Sequence, residues 1–394
     1  MRKIYLICLA TVLLVSLISM SCGDAATPPA TAWSKTFGGP GEDYGLSVQQ
    51  ISDGGYIMAG STDSYGAGGE DVWLIKTDSS GNEMWNKTFG GSSDDSGYSV
   101  GQTSDGGYII AGYTYSYGAG GEDVWLIKTD SSGDLSWNKT FGGSDGDHGY
   151  SVQQTSDGGY IIAGWTYSYG AGRDDVWLIK TDSSGDLSWN KTFGGSDSDF
   201  ASSVQQTSDG GYIITGSTNS YGAGDDDVWL IKTDSSGNVV WNKTFGGSDA
   251  DGGTSVQQTS DGGYIIAGDT FSYGDGNRDA WLIKTDSSGN KAWDKTFGSS
   301  GVDYGNSVQQ TPDGGYIIGR SHGDSYDADG SSYDAGLIKT DPLGNKTWDK
   351  TFDGSDFDYG NSVQQTSDGG YVIAGFTRSY GAGSYDVWLI KVTA

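Results

Sequence analysis

Hydrophobic residues recur along the chain in short runs, each bounded by Gly, Asp, Ser and Asn. Four kinds of segment alternate, and one copy of the set reads YSVQQT, YIIAGYT, DVWLIKT and WNKTF. β-Branched and aromatic residues are frequent in these short segments, and this composition is typical of strands. The pattern therefore predicts an all-β protein.

The four segments differ in the placement of their polar residues. The second and third are almost continuously apolar, as in residues 108–111 and 124–127, which indicates strands buried on both faces. WNKTF alternates, with Trp137 and Phe141 on one side and Asn138 on the other, as in an outer edge strand. The small, polar SVQQT segment fits an inner strand that lines a wet central channel.

Seven tryptophans mark an internal repeat, whose period is 52 residues in five successive intervals and 55 residues in the last. This length suits one four-stranded blade of a β-propeller. The SDGG and TDSSGN segments place Gly where tight hairpins need a positive φ, so they predict the turns between strands. The repeats begin at Trp33, Trp85, Trp137, Trp189, Trp241, Trp293 and Trp348.

The two ends of the repeat region are out of phase. It begins with a single WNKTF-type strand at residues 33–37 and ends with a DVWLIK strand at residues 386–391 that lacks its fourth partner. Pairing the two would complete a blade and remove an exposed sheet edge. We therefore predict a ring of seven four-stranded antiparallel blades, closed by the N-terminal strand.

The first residues predict an export signal. Arg2 and Lys3 precede an apolar run, so residues 1–21 are interpreted as a signal peptide. Residues 22–32 would form a linker, and residues 33–394 a single propeller domain. Cys22 is a candidate for lipidation as in bacterial lipoproteins, although Ser19 stands where that motif usually has an aliphatic residue. Cleavage slightly later, before the TPPATA segment, is the alternative.

The formal charge of the chain is −29. A field of this sign repels nucleic acid and anionic lipid, so we expect no nucleic-acid partner. Contact with a membrane would then occur only through a lipid on Cys22. Once the leader is removed, no cysteine pair remains for a disulfide. The sequence thus predicts an exported monomer at the cell surface or outside the cell.

The units SDGGYIIAG, DVWLIKTDSSGN and WNKTFGG resemble the propeller repeats of exported archaeal and bacterial surface proteins. The resemblance covers residues 33–394 and implies the propeller fold. Asp78 to Gly81, followed by Trp85, is also similar to the tryptophan-docking hairpin of quinoprotein dehydrogenases, although the turn is one residue shorter here. That likeness implies an outer-strand Trp docked on the next blade. It does not imply quinone chemistry, because the chain has no vicinal cysteine pair and no basic cofactor-binding cluster.

Aspartate recurs at four positions of nearly every repeat. Closure of the turns explains the SDGG and TDSSG sets. Two further sets, which include Asp43 and Asp71, lie in the longer loops. They either cap backbone amides of their loops or bind Ca²⁺, which takes several oxygen ligands in irregular loops. Both interpretations remain open from the sequence.

The sixth repeat departs most from the others. Its extended loop carries Asp327, Asp329 and Asp334, spaced like half of a calcium loop. These residues are the candidate Ca²⁺ ligands, and the alternative is a decayed loop that gained exposed acids. The strand Trp is replaced by Gly336, so we expect poorer local packing there.

Variation among the repeats concentrates in the loops between blades and between the second and third strands. In a propeller these loops share one face, and variable loops on a repeated scaffold often carry binding specificity. Aromatic rings beside carboxylates suit sugars, because they stack on the rings and bond the hydroxyls. Drift in unconstrained loops is the alternative explanation. The candidate ligand-binding residues are Tyr44, Tyr115, Trp165, Tyr167, Phe200, Tyr304, Tyr359 and Phe376.

We therefore expect a non-catalytic binding or adhesion module whose partner is an extracellular glycan or a surface protein. A secreted enzyme of polysaccharide breakdown, or a divergent quinoprotein-like oxidoreductase, is the alternative. Catalysis has less support, because the chain has two histidines in different repeats and no cysteine within residues 33–394 to act as a nucleophile. Carboxylates repeated in every blade point to scaffold rather than to a tuned catalytic pair.

Overall fold

A computed structural model describes residues 26–275, 277–323 and 333–394. Over these residues, 28 strands form seven separate four-stranded antiparallel sheets. In this part of the chain no helix has the length and apolar character needed to cross a lipid bilayer. The seven-bladed all-β propeller predicted from the repeats is confirmed.

Each of the first three blades runs from an inner strand to an outer strand in chain order. Blade 1 contains β2 (Asp43–Gln50), β3 (Tyr56–Thr62), β4 (Asp71–Thr77) and β5 (Glu83–Phe89). Blade 2 contains β6 (Asp95–Gln102), β7 (Tyr108–Thr114), β8 (Asp123–Thr129) and β9 (Leu135–Phe141). Blade 3 contains β10 (Asp147–Gln154), β11 (Tyr160–Thr166), β12 (Asp175–Thr181) and β13 (Leu187–Phe193).

The next three blades repeat this order. Blade 4 contains β14 (Asp199–Gln206), β15 (Tyr212–Thr218), β16 (Asp227–Thr233) and β17 (Val239–Phe245). Blade 5 contains β18 (Asp251–Gln258), β19 (Tyr264–Thr270), β20 (Asp279–Thr285) and β21 (Lys291–Phe297). Blade 6 contains β22 (Val302–Gln310), β23 (Tyr316–Gly323), β24 (Tyr333–Thr340) and β25 (Lys346–Phe352).

Blade 7 takes its strands from both ends of the chain. It contains β26 (Asp358–Gln365), β27 (Tyr371–Thr377), β28 (Asp386–Val392) and, as its outer strand, β1 (Thr31–Phe37). β1 pairs antiparallel with β28, and Trp33 lies opposite Lys391 while Phe37 lies opposite Val387. The predicted closure by the N-terminal strand is therefore confirmed.

The hydrophobic core lies between neighbouring blades. The third strand of blade 2 is fully buried, and the second is buried except at the half-buried Tyr113, as their continuous apolar runs predict. Ile109 and Leu126 of blade 2 pack in one cluster with Ile162 and Trp177 of blade 3. Burying one such side chain contributes roughly 1.5–3 kcal/mol, so each blade depends on the next for much of its stability.

The outer-strand tryptophan docks on the following blade. Trp85 of blade 1 meets Tyr108 of blade 2 edge to face, with ring centroids 5.8 Å apart. A Cβ added at Gly133, in the next hairpin turn, would stand 2.6 Å from the Trp85 ring. Gly133 has a φ of 79°, so both the turn and the docked ring require glycine there.

Side chains of the inner strands link the blades around the channel. The Ser99 hydroxyl accepts a hydrogen bond from the Val152 amide of the next blade at 3.2 Å. Between blades 3 and 4, the Gln153 side-chain oxygen likewise accepts a hydrogen bond from the Gln206 amide at 2.6 Å. The glutamine row is broken at Gly101 in blade 2, which has no side chain to reach the Gln154 amide.

A lysine ties each third strand to the inner hairpin, and it is buried in every blade except blade 1, where Lys76 is half-buried. Lys128 is buried, and its ammonium lies 2.9 Å from an Asp105 carboxylate oxygen and donates to the Thr129 carbonyl at 2.8 Å. Burial alone would raise the pKa of Asp105, but the Thr103 hydroxyl, Lys128 and the Gly107 amide lower it to about 2. These contacts hold the SDGG turns rigidly at one end of the propeller.

Blade 6 compensates for its missing tryptophan. Gly336 lies opposite Arg320 in the neighbouring strand, and Arg320 stands where the other blades have glycine. Arg320 is buried and its side chain covers Gly336, where an added Cβ would lie 3.0 Å from Arg320 Nε. The packing loss expected at Gly336 is therefore offset by a long side chain from the adjacent strand.

Candidate functional site on the loop face

The loops between blades and the loops between second and third strands meet at one end of the propeller, here called the loop face. In blade 1 the Asp63 amide donates to the Glu42 carbonyl at 2.8 Å, and the Gly41 amide donates to the Ser64 hydroxyl at 2.9 Å. The tight hairpins lie at the opposite end, here called the hairpin face. This division follows the sequence prediction.

Buried aspartates hold the loops of this face in place. The Asp95 carboxylate accepts the Gly91 amide at 2.9 Å and the Ser116 hydroxyl at 2.7 Å, and the Thr114 hydroxyl also donates to it. Asp123 accepts the Ala119 amide at 2.7 Å. Each carboxylate binds its own loop, so capping accounts for the repeated loop aspartates.

Carboxylates from adjacent blades also approach each other at every boundary between two blades, here called a seam. At the seam of blades 1 and 2, a Cβ on Gly90 would overlap Asp71 Oδ1 and lie 2.9 Å from Asp95 Oδ2, so only glycine fits between them. Burial raises the pKa of Asp71, the Ala67 amide opposes this, and the charge of Asp95 raises it further.

Aromatic rings surround the central channel at the loop face, here called the funnel, across blades 2 to 4. His148 lies between Tyr113, at a centroid distance of 4.4 Å, and Trp165, at 4.3 Å and 18° between planes. Trp165 meets Phe200 of the next blade edge to face at 6.0 Å. The first aromatic arc consists of Tyr98, Tyr113, His148, Tyr150, Trp165 and Phe200.

A second group of rings runs from blade 6 through blade 7 to blade 1. Tyr359 stacks on Phe376 at 4.7 Å, and Phe376 meets Tyr44 of blade 1 at 4.9 Å. Tyr333 links Tyr359, at 5.0 Å, to Tyr304, at 6.1 Å. The second aromatic arc consists of Tyr44, Tyr304, Tyr333, Tyr359, Phe376 and Tyr385.

The eight predicted ligand-binding residues all lie on the loop face, but in three settings. Tyr115 and Tyr167 are 48% and 52% exposed at the rim. Trp165 and Phe200 are half-buried in the first arc. The other four, also half-buried, belong to the second arc: Tyr44, Tyr304, Tyr359 and Phe376. The eight residues thus form two groups of rings with an exposed rim.

Small residues separate the two arcs. At the seam of blades 1 and 2 the corresponding positions are Ser61 and Ser96, both buried. At the seam of blades 4 and 5 they are Ser217 and Gly252. The funnel is therefore asymmetric, although its framework repeats seven times.

Glu122 joins the rim to the first arc. Its carboxylate accepts a hydrogen bond from the Tyr115 hydroxyl and lies 3.6 Å from His148 Nε2. Burial lowers the pKa of His148, and the charge of Glu122 opposes that shift. His148 is thus a half-buried ring that lies between Tyr113 and Trp165 and stacks on Trp165.

The arginine of the blade 5 loop is engaged by its neighbours. Arg278 Nε donates to Asp269 Oδ2 at 2.6 Å. The guanidinium lies over the Tyr304 ring, 4.4 Å from its centroid, and 5.0 Å from that of Phe271. Its positive charge is thus neutralised within the protein.

Sequence reasoning missed the residue that immediately precedes the third-strand aspartate. At six of the seven seams its carbonyl accepts the amide of the next blade's first aspartate, as between Glu122 and Asp147 at 2.7 Å. The backbone at this position is therefore constant, while the side chain varies around the funnel. Comparing the repeats at this position would have revealed this variation in the sequence. The seven seam residues are Glu70, Glu122, Asp174, Asp226, Arg278, Tyr333 and Tyr385.

A second position was missed because a bulge moves it out of the strand pattern. Between Gly149 and Ser151 the pairing of β10 with β11 shifts by one residue, and Tyr150 is the extra residue. A bulge of this kind re-aims a side chain. The same position holds Leu46, Tyr98, Tyr150, Ser202, Thr254, Asn306 and Asn361, so it too is variable.

The candidate calcium ligands fall mostly outside the described residues. Asp327 and Asp329 lie in residues 324–332, and Cys22 lies in residues 1–25, which the structure does not describe. Asp334 is half-buried at the second residue of β24, and the Gly354 amide lies 3.4 Å from its Oδ1. Within the described ranges, no group of three or more His, Cys, Asp or Glu side chains is arranged to hold a metal ion.

The hairpin face also carries a cavity, of about 720 Å³, at the other end of the channel. Gln310, Gln365 and Pro312 are among its lining residues. Most of the lining consists of glutamines and turn residues that recur in the other blades, and no aromatic residue contributes to it. Its chemistry suits solvent and scaffold contacts rather than selective recognition.

No protein-family profile and no curated protein sequence matches this chain. Solved structures share its fold. The Neurospora crassa Pan2 WD40 domain is similar with a TM-score of 0.53 at 10% identity, over 90% of each chain. BBS1N, solved in complex with ARL6DN, gives 0.52 at 8% identity over 93% of this chain and 97% of its own. A protein of unknown function from Dyadobacter fermentans gives 0.50 at 11%, over 94% and 100%. At these identities the likeness establishes the propeller fold alone.

Proposed function

We propose that this protein is an exported, non-catalytic binding or adhesion module that recognises a glycan on its loop face. One observation carries the proposal. Variation among seven near-identical repeats is concentrated on this face, and there it places two aromatic arcs around the funnel. A rigid scaffold with variable loops at one end is the usual basis of specific binding.

The rings have the chemistry that sugars require. A pyranose presents an apolar face that stacks on aromatic rings, and hydroxyls that bond to carboxylates and phenols. Tyr115 and Tyr167 are exposed, and Glu122 lies beside the rings. The blades hold these groups fixed before the ligand arrives, which reduces the entropy lost on binding.

The repeated acids support a non-catalytic role. Asp95 and Asp123 use their carboxylates to cap loops, and the same arrangement recurs in other blades, as at Asp199. A glycosidase needs one pair of carboxylates with different environments. Among the described residues, these repeated aspartates share one environment and offer no such pair, which is why we favour a non-catalytic role.

The wider proposal follows the sequence. Residues 1–21 would direct export, Cys22 would carry a lipid anchor if it is modified, and Ca²⁺ would bind at Asp327, Asp329 and Asp334. The partner would be an extracellular glycan or a surface protein. BBS1N, which has this fold, was solved in complex with another protein, and that partnership is a property of BBS1N alone.

A glycan-array screen with and without calcium tests the proposal. We expect binding to a restricted group of oligosaccharides, and no release of shortened products when each bound glycan is incubated with the protein. Turnover of a bound glycan would favour the enzyme alternative. Failure to bind any glycan under either condition would contradict the proposal.

A further inference from the structure

The seam residues divide the funnel into two chemically different halves. Four consecutive blades contribute acids at this position, namely Glu70, Glu122, Asp174 and Asp226. The remaining three contribute Arg278, Tyr333 and Tyr385. All seven are half-buried. The first aromatic arc therefore lies on the acidic half, and the second arc lies mainly on the other.

We propose that the glycan carries protonated amino groups, so that the ligand class is an amino-sugar polymer. Its rings would stack on the first aromatic arc, with amino groups beside Glu70 and Glu122. This inference rests on the proposed function and narrows its ligand class.

Tyr98 and Tyr113 are neighbouring rings of the first aromatic arc, with centroids 5.9 Å apart. The charges of Glu70 and Glu122 both act on the Tyr113 and Tyr98 hydroxyls and add to the effect of burial, which raises the pKa of each. Tyr113 also contacts His148, at a centroid distance of 4.4 Å, and Glu122 lies 3.6 Å from the same imidazole. Aromatic rings beside carboxylates suit a sugar ring bearing an ammonium group.

The negative charge around Glu70 is concentrated. Burial raises the pKa of Glu70, the Ser61 hydroxyl opposes this, and Asp94, Asp63 and Glu42 raise it further. A cationic group bound there would relieve this repulsion. On the other half, Arg278 is paired with Asp269, so its charge is not free to balance the acids of blades 1 to 4.

Three hexasaccharides distinguish this inference from simple glycan binding. Isothermal titration would compare a glucosamine hexamer, at a pH where its amines are protonated, with the N-acetylglucosamine hexamer and a glucose hexamer. We expect the glucosamine hexamer to bind at least about tenfold more tightly, a difference of about 1.4 kcal/mol. The preference should shrink as salt is added, because exposed charges are screened.

A double variant, Glu70→Gln with Glu122→Gln, should abolish this preference while retaining binding to the N-acetylated hexamer. Glutamine preserves shape, so the melting temperature should stay close to that of the parent. Glu83→Gln, an exposed acid of β5, is the matched control and should keep the preference. If the double variant retains the preference, the inference is wrong.

Two other outcomes separate the inference from the proposed function. Equal binding of all three hexasaccharides would overturn the amino-sugar inference and leave glycan binding intact. Binding of hexalysine as tightly as the glucosamine hexamer would also overturn it, because charge alone would then be recognised. If no oligosaccharide binds, here or on the array, the proposed function itself fails.

Discussion

Arg320 and Gly336 lie directly opposite each other in the second and third strands of blade 6. In the other blades the second strand has the glycine and the third strand has the large side chain, tryptophan. In blade 2, for example, Gly112 lies opposite Trp125. The Trp125 indole donates to Asn138 on the outer strand at 3.2 Å. In blade 6 the Arg320 guanidinium reaches the corresponding Asp349 at 3.9 Å and the buried Asp303 at 3.2 Å. A long cationic side chain thus replaces both the volume and the polar contact of the indole.

This exchange predicts strong coupling between the two positions. Arg320→Gly alone should destabilise the protein by about 3–5 kcal/mol, because it empties the space and removes a cation from buried Asp303. Gly336→Trp alone should also destabilise, because the new ring meets Arg320. The double variant restores the arrangement of the other blades and should recover most of the loss. Thermal unfolding of the four proteins measures this coupling.

The corresponding exchange in an ordinary blade serves as the control. Trp125→Gly with Gly112→Arg should not recover stability, because a Cβ at Gly112 would overlap the Ser96 carbonyl. Additive effects of the two blade 6 substitutions would contradict the compensation.

Ring closure by β1 predicts a large effect of truncation. Removing residues up to Phe37 would expose the edge of β28 and uncover Tyr56, on which Trp33 packs at 5.8 Å. We expect a marked fall in melting temperature and association between molecules through the free edge. A shorter truncation, ending before Ala30, should have little effect. An unchanged melting temperature in the longer truncation would show that β1 is dispensable.

Gly101 predicts a stabilising substitution. In the other blades a glutamine at this position accepts an amide of the next inner strand, as Gln153 does from Gln206. A Cβ at Gly101 would meet Ile109 only at 3.7 Å, so a side chain fits. Gly101→Gln should raise stability by about 0.5–1.5 kcal/mol, from the restored bond and from reduced freedom of the unfolded chain. Gly101→Ala isolates the effect on the unfolded chain. Equal stability of the Gln and Ala variants would show that the glutamine forms no stabilising hydrogen bond.

Stability should pass through a maximum at mildly acidic pH. The hairpin-face aspartates Asp105, Asp157 and Asp209 have pKa values near 2. Burial opposes this, while a threonine hydroxyl, the buried lysine and a backbone amide together lower each pKa. Their contribution is therefore present above the ordinary value of 3.8 and disappears as the pH falls towards 2.

The seam aspartates act in the opposite direction. Burial raises the pKa of Asp71 and Asp123, so their contribution is complete below the ordinary value and is lost as the pH rises through the raised one. Melting temperatures measured from pH 2 to 8 should peak at about pH 4–5. A continuous rise from pH 4 to 8 would contradict this balance. Asp71→Asn should flatten the decline above the peak.

The repeating part of the fold could be predicted from the sequence because every repeat has the same pattern of apolar and turn residues. Continuous apolar runs such as residues 124–127 become buried strands, and Gly133 becomes a turn with positive φ. The orphan strands at the two ends determined the blade count. These features depend on local pattern and on the number of copies, both of which are visible in the sequence.

The site was predicted less completely because it depends on contacts between repeats. Tyr113 contacts His148 of the next blade, a contact between residues 35 positions apart that no single repeat reveals. Tyr150 lies at a bulge, which shifts the strand alternation used to place side chains. The role of Arg320 likewise depends on its partner Gly336 in another strand. The sequence shows that each of the two residues departs from the repeat, but not that Arg320 fills the space left at Gly336.

The account depends most on the claim that the aromatic loop face binds the ligand. Trp165 is half-buried against His148, and Tyr167 is exposed. Trp165→Ala with Tyr167→Ala should therefore leave the protein folded and lower the melting temperature less than the core substitution Trp125→Ala, which should cost about 3–5 kcal/mol. Leu187→Ala, on an exposed outer strand, is the control for a surface change.

The decisive measurement is the affinity of these variants for the glycan that the parent binds most tightly on the array. The account predicts that the Trp165 and Tyr167 double variant loses at least about tenfold in affinity, equivalent to about 1.4 kcal/mol, while the Leu187 variant binds as the parent does. Parental affinity in a folded double variant would contradict the account and leave the variation among the loops as drift.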